Sequence, residues 1–167
     1  MNQRGTCGRA ALGLSAVGAQ DIMKALLQQM DINTNLSHIQ YGSTARLWAA
    51  GSRNEGAIKW LLGREDIDPN ILNTGFRWTP QGRAEWAGHA EIVRLLLKRA
   101  DVNQNIADTE HGRTPLVWAA RGGHEGVVRL ILEREDINPN IVDTEHSRTP
   151  LVWAAISGHE EVVKLLF

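Results

Sequence analysis

Apolar residues in this chain come in short paired runs separated by polar stretches, and the pattern is clearest from Thr114 to Leu132. Leu116, Ala119 and Ala120 fall on one face at helical spacing, and the small alanines leave room for a neighbouring helix to approach closely. Thr114 suits a helix N-cap, and Pro115 suits the first helical position, where its missing N–H costs nothing. Gly122-Gly123 breaks this helix and His124-Glu125 opens a second, on which Val127, Val128, Leu130, Ile131 and Leu132 form a broad apolar stripe. A polar excursion then runs from Asp136 to Arg148 and leads into the next Thr-Pro pair.

The same unit recurs along the chain. Thr114-Pro115-Leu116-Val117-Trp118-Ala119-Ala120 returns unchanged as Thr149-Pro150-Leu151-Val152-Trp153-Ala154-Ala155, an offset of 35 residues. Gly88-His89, Gly123-His124 and Gly158-His159 keep that register. So do Asp31-Ile32-Asn33, Asp66-Ile67-Asp68, Asp101-Val102-Asn103 and Asp136-Ile137-Asn138. Neither helix of a unit is long enough to be stable alone in water. Stacking buries their apolar faces against the neighbouring units, which is the energetic logic of a solenoid.

Two helices per unit, the Thr-Pro-Leu start and the Gly-His turn resemble the ankyrin-repeat family, well over Thr44–Phe167 and faintly over Arg9–Asn35. The wording of the units is similar to ankyrin arrays of filamentous fungi. The resemblance implies an all-α fold, a curved array of about four and a half helix–turn–helix repeats. One domain is expected over residues 1–167, with units at 6–40 (degenerate), 41–75, 76–110, 111–145 and 146–167 (incomplete). The third unit departs from the pattern. Gln81 stands at the Leu116 slot and Glu85 at the Ala120 slot, so this unit is either locally loosened or specially hydrogen-bonded. The family's histidine after Thr-Pro-Leu is replaced by Val117 and Val152, which predicts apolar contacts between units there.

Composition narrows the function. The formal net charge is −1, without the basic excess that neutralises nucleic-acid phosphates or a polybasic patch for a membrane surface. Cys7 is the only cysteine, which excludes an intrachain disulfide and a cysteine-based zinc site. No apolar run is long enough to span a bilayer. The segment Ala10–Ala19, preceded by Arg4 and Arg9, is like a weak secretory signal within residues 1–19, but it also fits the repeat register, and a cytoplasmic location is expected.

Trp48, Trp118 and Trp153 share one slot of successive first helices, which suits packing between units better than an exposed ladder. Trp60 aligns with Leu130 and is expected in the core. Phe76, Trp78 and Trp86 sit at slots that are not apolar elsewhere, aligned with His111, Arg113 and Arg121. Two readings fit them: an interface hot spot flanked by Arg77, or repacking around Gln81 and Glu85. His89, His124 and His159 are expected to bond within the structure rather than to bind metal. Asp108-Thr109-Glu110-His111 and Asp143-Thr144-Glu145-His146 put acid and imidazole together, but consecutive loop residues do not converge as ligands, so a partner-facing loop tip is the better reading. Gly13-Leu14-Ser15-Ala16-Val17 begins like a nucleophile elbow and lacks its final glycine.

These readings predict a non-enzymatic module with no catalytic group, cofactor or metal. It is expected to bind partner proteins through the concave face and loop tips that the ankyrin resemblance implies. The expected contact residues are Phe76, Arg77, Trp78, Trp86, Glu110, His111, Arg113, Arg121, Glu145, His146, Arg148 and Ile156. The alternative is a regulatory or recognition fragment of a larger signalling ATPase or enzyme. Val162, Val163, Leu165, Leu166 and Phe167 form an apolar stripe with no capping unit after it, which predicts self-association through the last repeat.

Overall fold

The computed structural model describes residues 45–51, 54–63, 68–70, 72 and 78–167. The degenerate first unit, Phe76, Arg77 and the Trp48 and Trp60 side chains lie outside this set. The described residues hold eight helices and no strand. They are α1 (Ala45–Gly51), α2 (Glu55–Leu62), α3 (Pro80–Trp86), α4 (Ala90–Leu97), α5 (Pro115–Arg121), α6 (Glu125–Leu132), α7 (Pro150–Ile156) and α8 (Glu160–Leu166). None is long and apolar enough to cross a membrane.

Helices α3, α5 and α7 start as their sequence dictates. The side chains of Thr79, Thr114 and Thr149 accept from the backbone N–H of Gly82, Val117 and Val152, and Pro80, Pro115 and Pro150 open the helices behind them. The turn to the second helix passes through Gly88, Gly123 and Gly158 at φ of +69°, +69° and +75°, a region that disfavours any Cβ. The histidines that follow do not cap their own helices. Their rings reach back one unit instead. Nε2 of His89, His124 and His159 lies 3.2, 3.0 and 3.0 Å from the backbone oxygens of Gly51, Trp86 and Arg121. A carbonyl can only accept, so Nε2 carries the proton in each ring. The histidines are structural, as their spacing predicts.

The helices form two rows, α1–α3–α5–α7 and α2–α4–α6–α8, and each first helix also packs on its own second helix. Ala49, Ala50, Ala84, Ala119, Ala120 and Ala154 keep the first row close. Ile58, Leu61, Ile92, Val93, Leu96, Val127, Val128 and Ile131 fill the space behind them. Val117 is fully buried, whereas Val152, on α7, is 40% exposed. The burial expected at both valines is therefore seen at Val117 and not at Val152. On the final helix Val162 is buried, Val163, Leu165 and Leu166 are half-buried, and Phe167 is exposed.

The loops between units are also tied together. Asn70 Nδ2 donates to the Asp101 carbonyl at 2.7 Å and Asn70 Oδ1 accepts from Asn103 N at 2.9 Å. Asn105 repeats both bonds to Asp136 and Asn138 in the next unit, at 2.9 and 3.4 Å.

The third unit joins its misplaced polar residues by hydrogen bonds but leaves Gln81 Oε1, Glu85 Oε2 and Gln104 Nε2 without partners. Gln81, Glu85 and Gln104 are buried, with exposures of 1%, 0% and 1%. Gln81 Nε2 donates to Glu85 Oε1 at 2.6 Å and also to Gln104 Oε1. Glu85 Oε2 has no partner, a costly arrangement for a charged carboxylate. Burial pushes the Glu85 carboxyl up to about 8, against a smaller downward pull from the Gln81 hydrogen bond, so the group is neutral at pH 7.

A tryptophan–arginine face on the first helices

The loops before α5 and α7 each close on an aspartate. Asp108 Oδ1 accepts from the backbone N–H of Glu110 and His111, at 3.0 and 2.7 Å. Its Oδ2 accepts from Arg113 N and from the Trp118 indole, both at 3.1 Å. Asp143 does the same one unit on, accepting from His146 N at 2.6 Å and from the Trp153 indole. Burial pushes the Asp143 carboxyl up, but these donors, Arg148 N and the Arg113 charge outweigh it and hold it below the usual carboxylate range. The acid–imidazole sequence is thus a loop clasp. It fixes the tryptophan on the following helix and turns the histidine edge-on to it: His111 against Trp118 at 5.9 Å, and His146 against Trp153 at 5.5 Å.

Trp118 and Trp153 are buried, at 8% and 6% exposure, so the packing reading holds for both. The cation held between them is Arg113, whose guanidinium carbon lies 4.8 Å from each ring centre. Arg113 corrects the expected contact surface. At 4% exposure it is an internal residue, paired with Glu145 at 2.7 Å and facing Asp143 at 3.7 Å, and has no surface left for a partner. A cation can be buried there because two carboxylates and two ring faces replace its water.

The third unit carries the same chemistry with the residues exchanged. Where the fourth unit has Arg113, Trp118 and Arg121, the third has Trp78, Arg83 and Trp86 at the corresponding positions. Arg83 lies 5.4 Å from the Trp78 ring and 4.9 Å from the Trp86 ring. Trp78 also meets Trp86 at 5.3 Å and Trp118 at 5.6 Å, which joins the two units. Arg121 continues the face over Trp118 and Trp153, at 5.6 and 4.9 Å, and Arg148 lies 4.9 Å from the Trp153 ring. Sequence reasoning missed this exchange because it scored each slot as apolar or polar. Reading positions 78, 113 and 148 against 83, 118 and 153 as cation or ring reveals it.

The other expected contact residues distribute as follows. Trp86 is 43% exposed and Ile156, at the same slot two units on, is 57% exposed. Arg121, Glu110, Glu145 and His146 are exposed, and Trp78, His111 and Arg148 are half-buried. The structure therefore brings Trp78, Trp86, Arg121 and Arg148 into one aromatic–cationic face, with Glu145 and His111 grouped around Arg113 beside it. Among the described residues no group of three or more His, Cys, Asp or Glu side chains could hold a metal ion.

The family model for ankyrin repeats (three copies) matches residues 47–143 and 84–167, overlapping stretches that together run from 47 to the last residue. No curated protein matches the chain. Ankyrin repeats are generally protein–protein interaction modules. The paired helices, the Thr-Pro starts, the Gly-His turns and this match agree, and the chain belongs to the ankyrin-repeat family.

Proposed function

We propose that the chain is a non-enzymatic module that binds partner proteins through the face carrying Trp78, Trp86, Arg121, Arg148 and Ile156. The observation that supports this most is the exposure of Trp86 and Ile156, 43% and 57%, while Trp118 and Trp153, the other first-helix tryptophans with described side chains, are buried and hydrogen-bonded. Large apolar side chains held on short rigid helices beside cations are the composition of an interface hot spot. The loop-tip residues Glu110, His111, Glu145 and His146 border this face and belong to the same surface in this reading. Phe76 and Arg77 are assigned to it from the sequence alone. A photo-crosslinking residue at position 156 should capture a partner protein from the native extract, and the same residue at position 129, on the second-helix row, should not. Equal capture at both positions would contradict the assignment of the face.

A further inference from the structure

The described arginines separate into two groups. Eight lie between residues 78 and 167. Five hold carboxylates: Arg94 with Glu91, Arg99 with Asp101, Arg113 with Glu145, Arg129 with Glu125 and Arg134 with Asp136, at 2.5 to 3.5 Å. Arg83, Arg121 and Arg148 hold none among the described residues. All three lie 4.9 Å from a tryptophan ring centre, over Trp86, Trp153 and Trp153 respectively. Among these arginines, the ones without a carboxylate are therefore gathered on the proposed binding face, and the paired ones are elsewhere or buried.

Stacking prepares these arginines for an anion. A guanidinium lying on a ring uses its face and leaves its N–H edge free to fork onto a carboxylate. The ring also restricts the long side chain, so less rotamer freedom is lost when a partner arrives. Burial already depresses the Arg83 pKa, the effect of a cation that has lost water without gaining a counter-charge. Arg121 and Arg148 share the Trp153 ring, which brings two cations to one place. The nearby acids are already engaged: Glu145 by Arg113 at 2.7 Å, and Asp143 by the His146 backbone N–H and the Trp153 indole.

We propose that this face takes an extended acidic segment of a partner protein. Its carboxylates are held by Arg83, Arg121 and Arg148, with an apolar side chain set against Trp86. The cations come from three successive units, so the segment lies along the array rather than across it. A nucleic acid fits less well, because the whole chain carries a net charge of −1. This inference rests on the interaction-module reading and adds the chemistry of the partner.

The test is selection of linear peptides from a random display library on the full chain. Enriched peptides are then titrated calorimetrically against the native chain, Arg121→Gln/Arg148→Gln and Lys98→Gln. The expected peptides combine Asp or Glu with an aromatic or aliphatic residue. Their affinity should fall about tenfold or more in the double variant, as for a lost charge-assisted pair, and stay unchanged in Lys98→Gln. It should also fall several-fold as salt rises from about 50 to 300 mM. The salt series uses the native chain, so it decides the matter even where the double variant folds poorly. Enriched peptides that lack acidic residues and bind without regard to salt overturn this inference and leave the module reading standing. Acidic peptides that bind the double variant unchanged overturn the placement. A single-stranded oligonucleotide that outcompetes the peptides also overturns it. A folded chain that enriches nothing overturns both readings.

Discussion

Gly123 and Gly158 hold the same turn in successive units, at φ of +69° and +75°, but face different neighbours. A Cβ on Gly123 would lie 2.6 Å from the His159 ring, whereas one on Gly158 would meet nothing within 4 Å. Gly158→Ala should therefore cost only the left-handed backbone, about 1–2 kcal/mol. Gly123→Ala should cost that and also displace the ring bonded to Arg121, about 1 kcal/mol more. Equal losses in chemical denaturation would contradict the histidine ladder. Glu85 makes a second prediction. Its carboxyl titrates at about 8 when folded, against an ordinary 4.5. The stability that goes with the neutral form is fully present below pH 4.5 and is lost as pH rises through 8, because the unfolded chain releases the proton first. At about 1.4 kcal/mol per tenfold change in proton affinity, the loss is several kcal/mol. Glu85→Gln should flatten this slope, so the variant gains on the native chain between pH 5 and pH 9. Parallel profiles would contradict a buried neutral carboxyl. At this scale the sequence was legible where one residue type has one job, as in the Thr-Pro caps and the Gly-His turns. It was not legible at Arg113, because a cation on a polar loop looks solvent-facing until the carboxylates and rings of two units are brought around it.

The elements followed directly from the pattern of apolar and polar positions. Thr-Pro set the starts of α3, α5 and α7, glycine set the turns, and the stripe from Val127 to Ile131 set the buried side of α6. Contacts between elements were less legible, since they depend on pairs 31 to 38 residues apart, such as Asn105 with Asp136 and His124 with Trp86. The exchange of ring and cation between α3 and α5 is the sharpest case. If Trp78 and Arg83 act as a stacked pair, Trp78→Arg and Arg83→Trp should each destabilise the fold, and the double variant should recover about 1 kcal/mol through the restored pair. Additive losses in a double-mutant cycle would show that the two positions act independently. Trp118→Ala removes a buried ring and the indole donor to Asp108, so it should cost roughly 3–5 kcal/mol in thermal or denaturant unfolding. A loss below about 1 kcal/mol would contradict its packing role.

For the whole molecule, the row of small residues buries one side of the first helices while the tryptophan–arginine face stays accessible on another. The same helices therefore place Ala119 and Trp118 in the interior and Trp86, Arg121 and Ile156 on the surface, where the proposed recognition would lie. The family and the helical fold could be read from the sequence, because a period of 35 residues repeats the same signals several times. The identity of the partner could not, since a shared scaffold presents different surfaces in different arrays. The central claim is that the first-helix face carries recognition. It is tested most directly by the affinity of a captured partner for Trp86→Ala and for Arg129→Ala, an exposed residue of the second-helix row, with both variants shown to unfold at the native temperature. The account predicts a loss of about 2 kcal/mol or more for Trp86→Ala, roughly thirtyfold, and less than about threefold for Arg129→Ala. Native affinity in Trp86→Ala with a large loss in Arg129→Ala would contradict it.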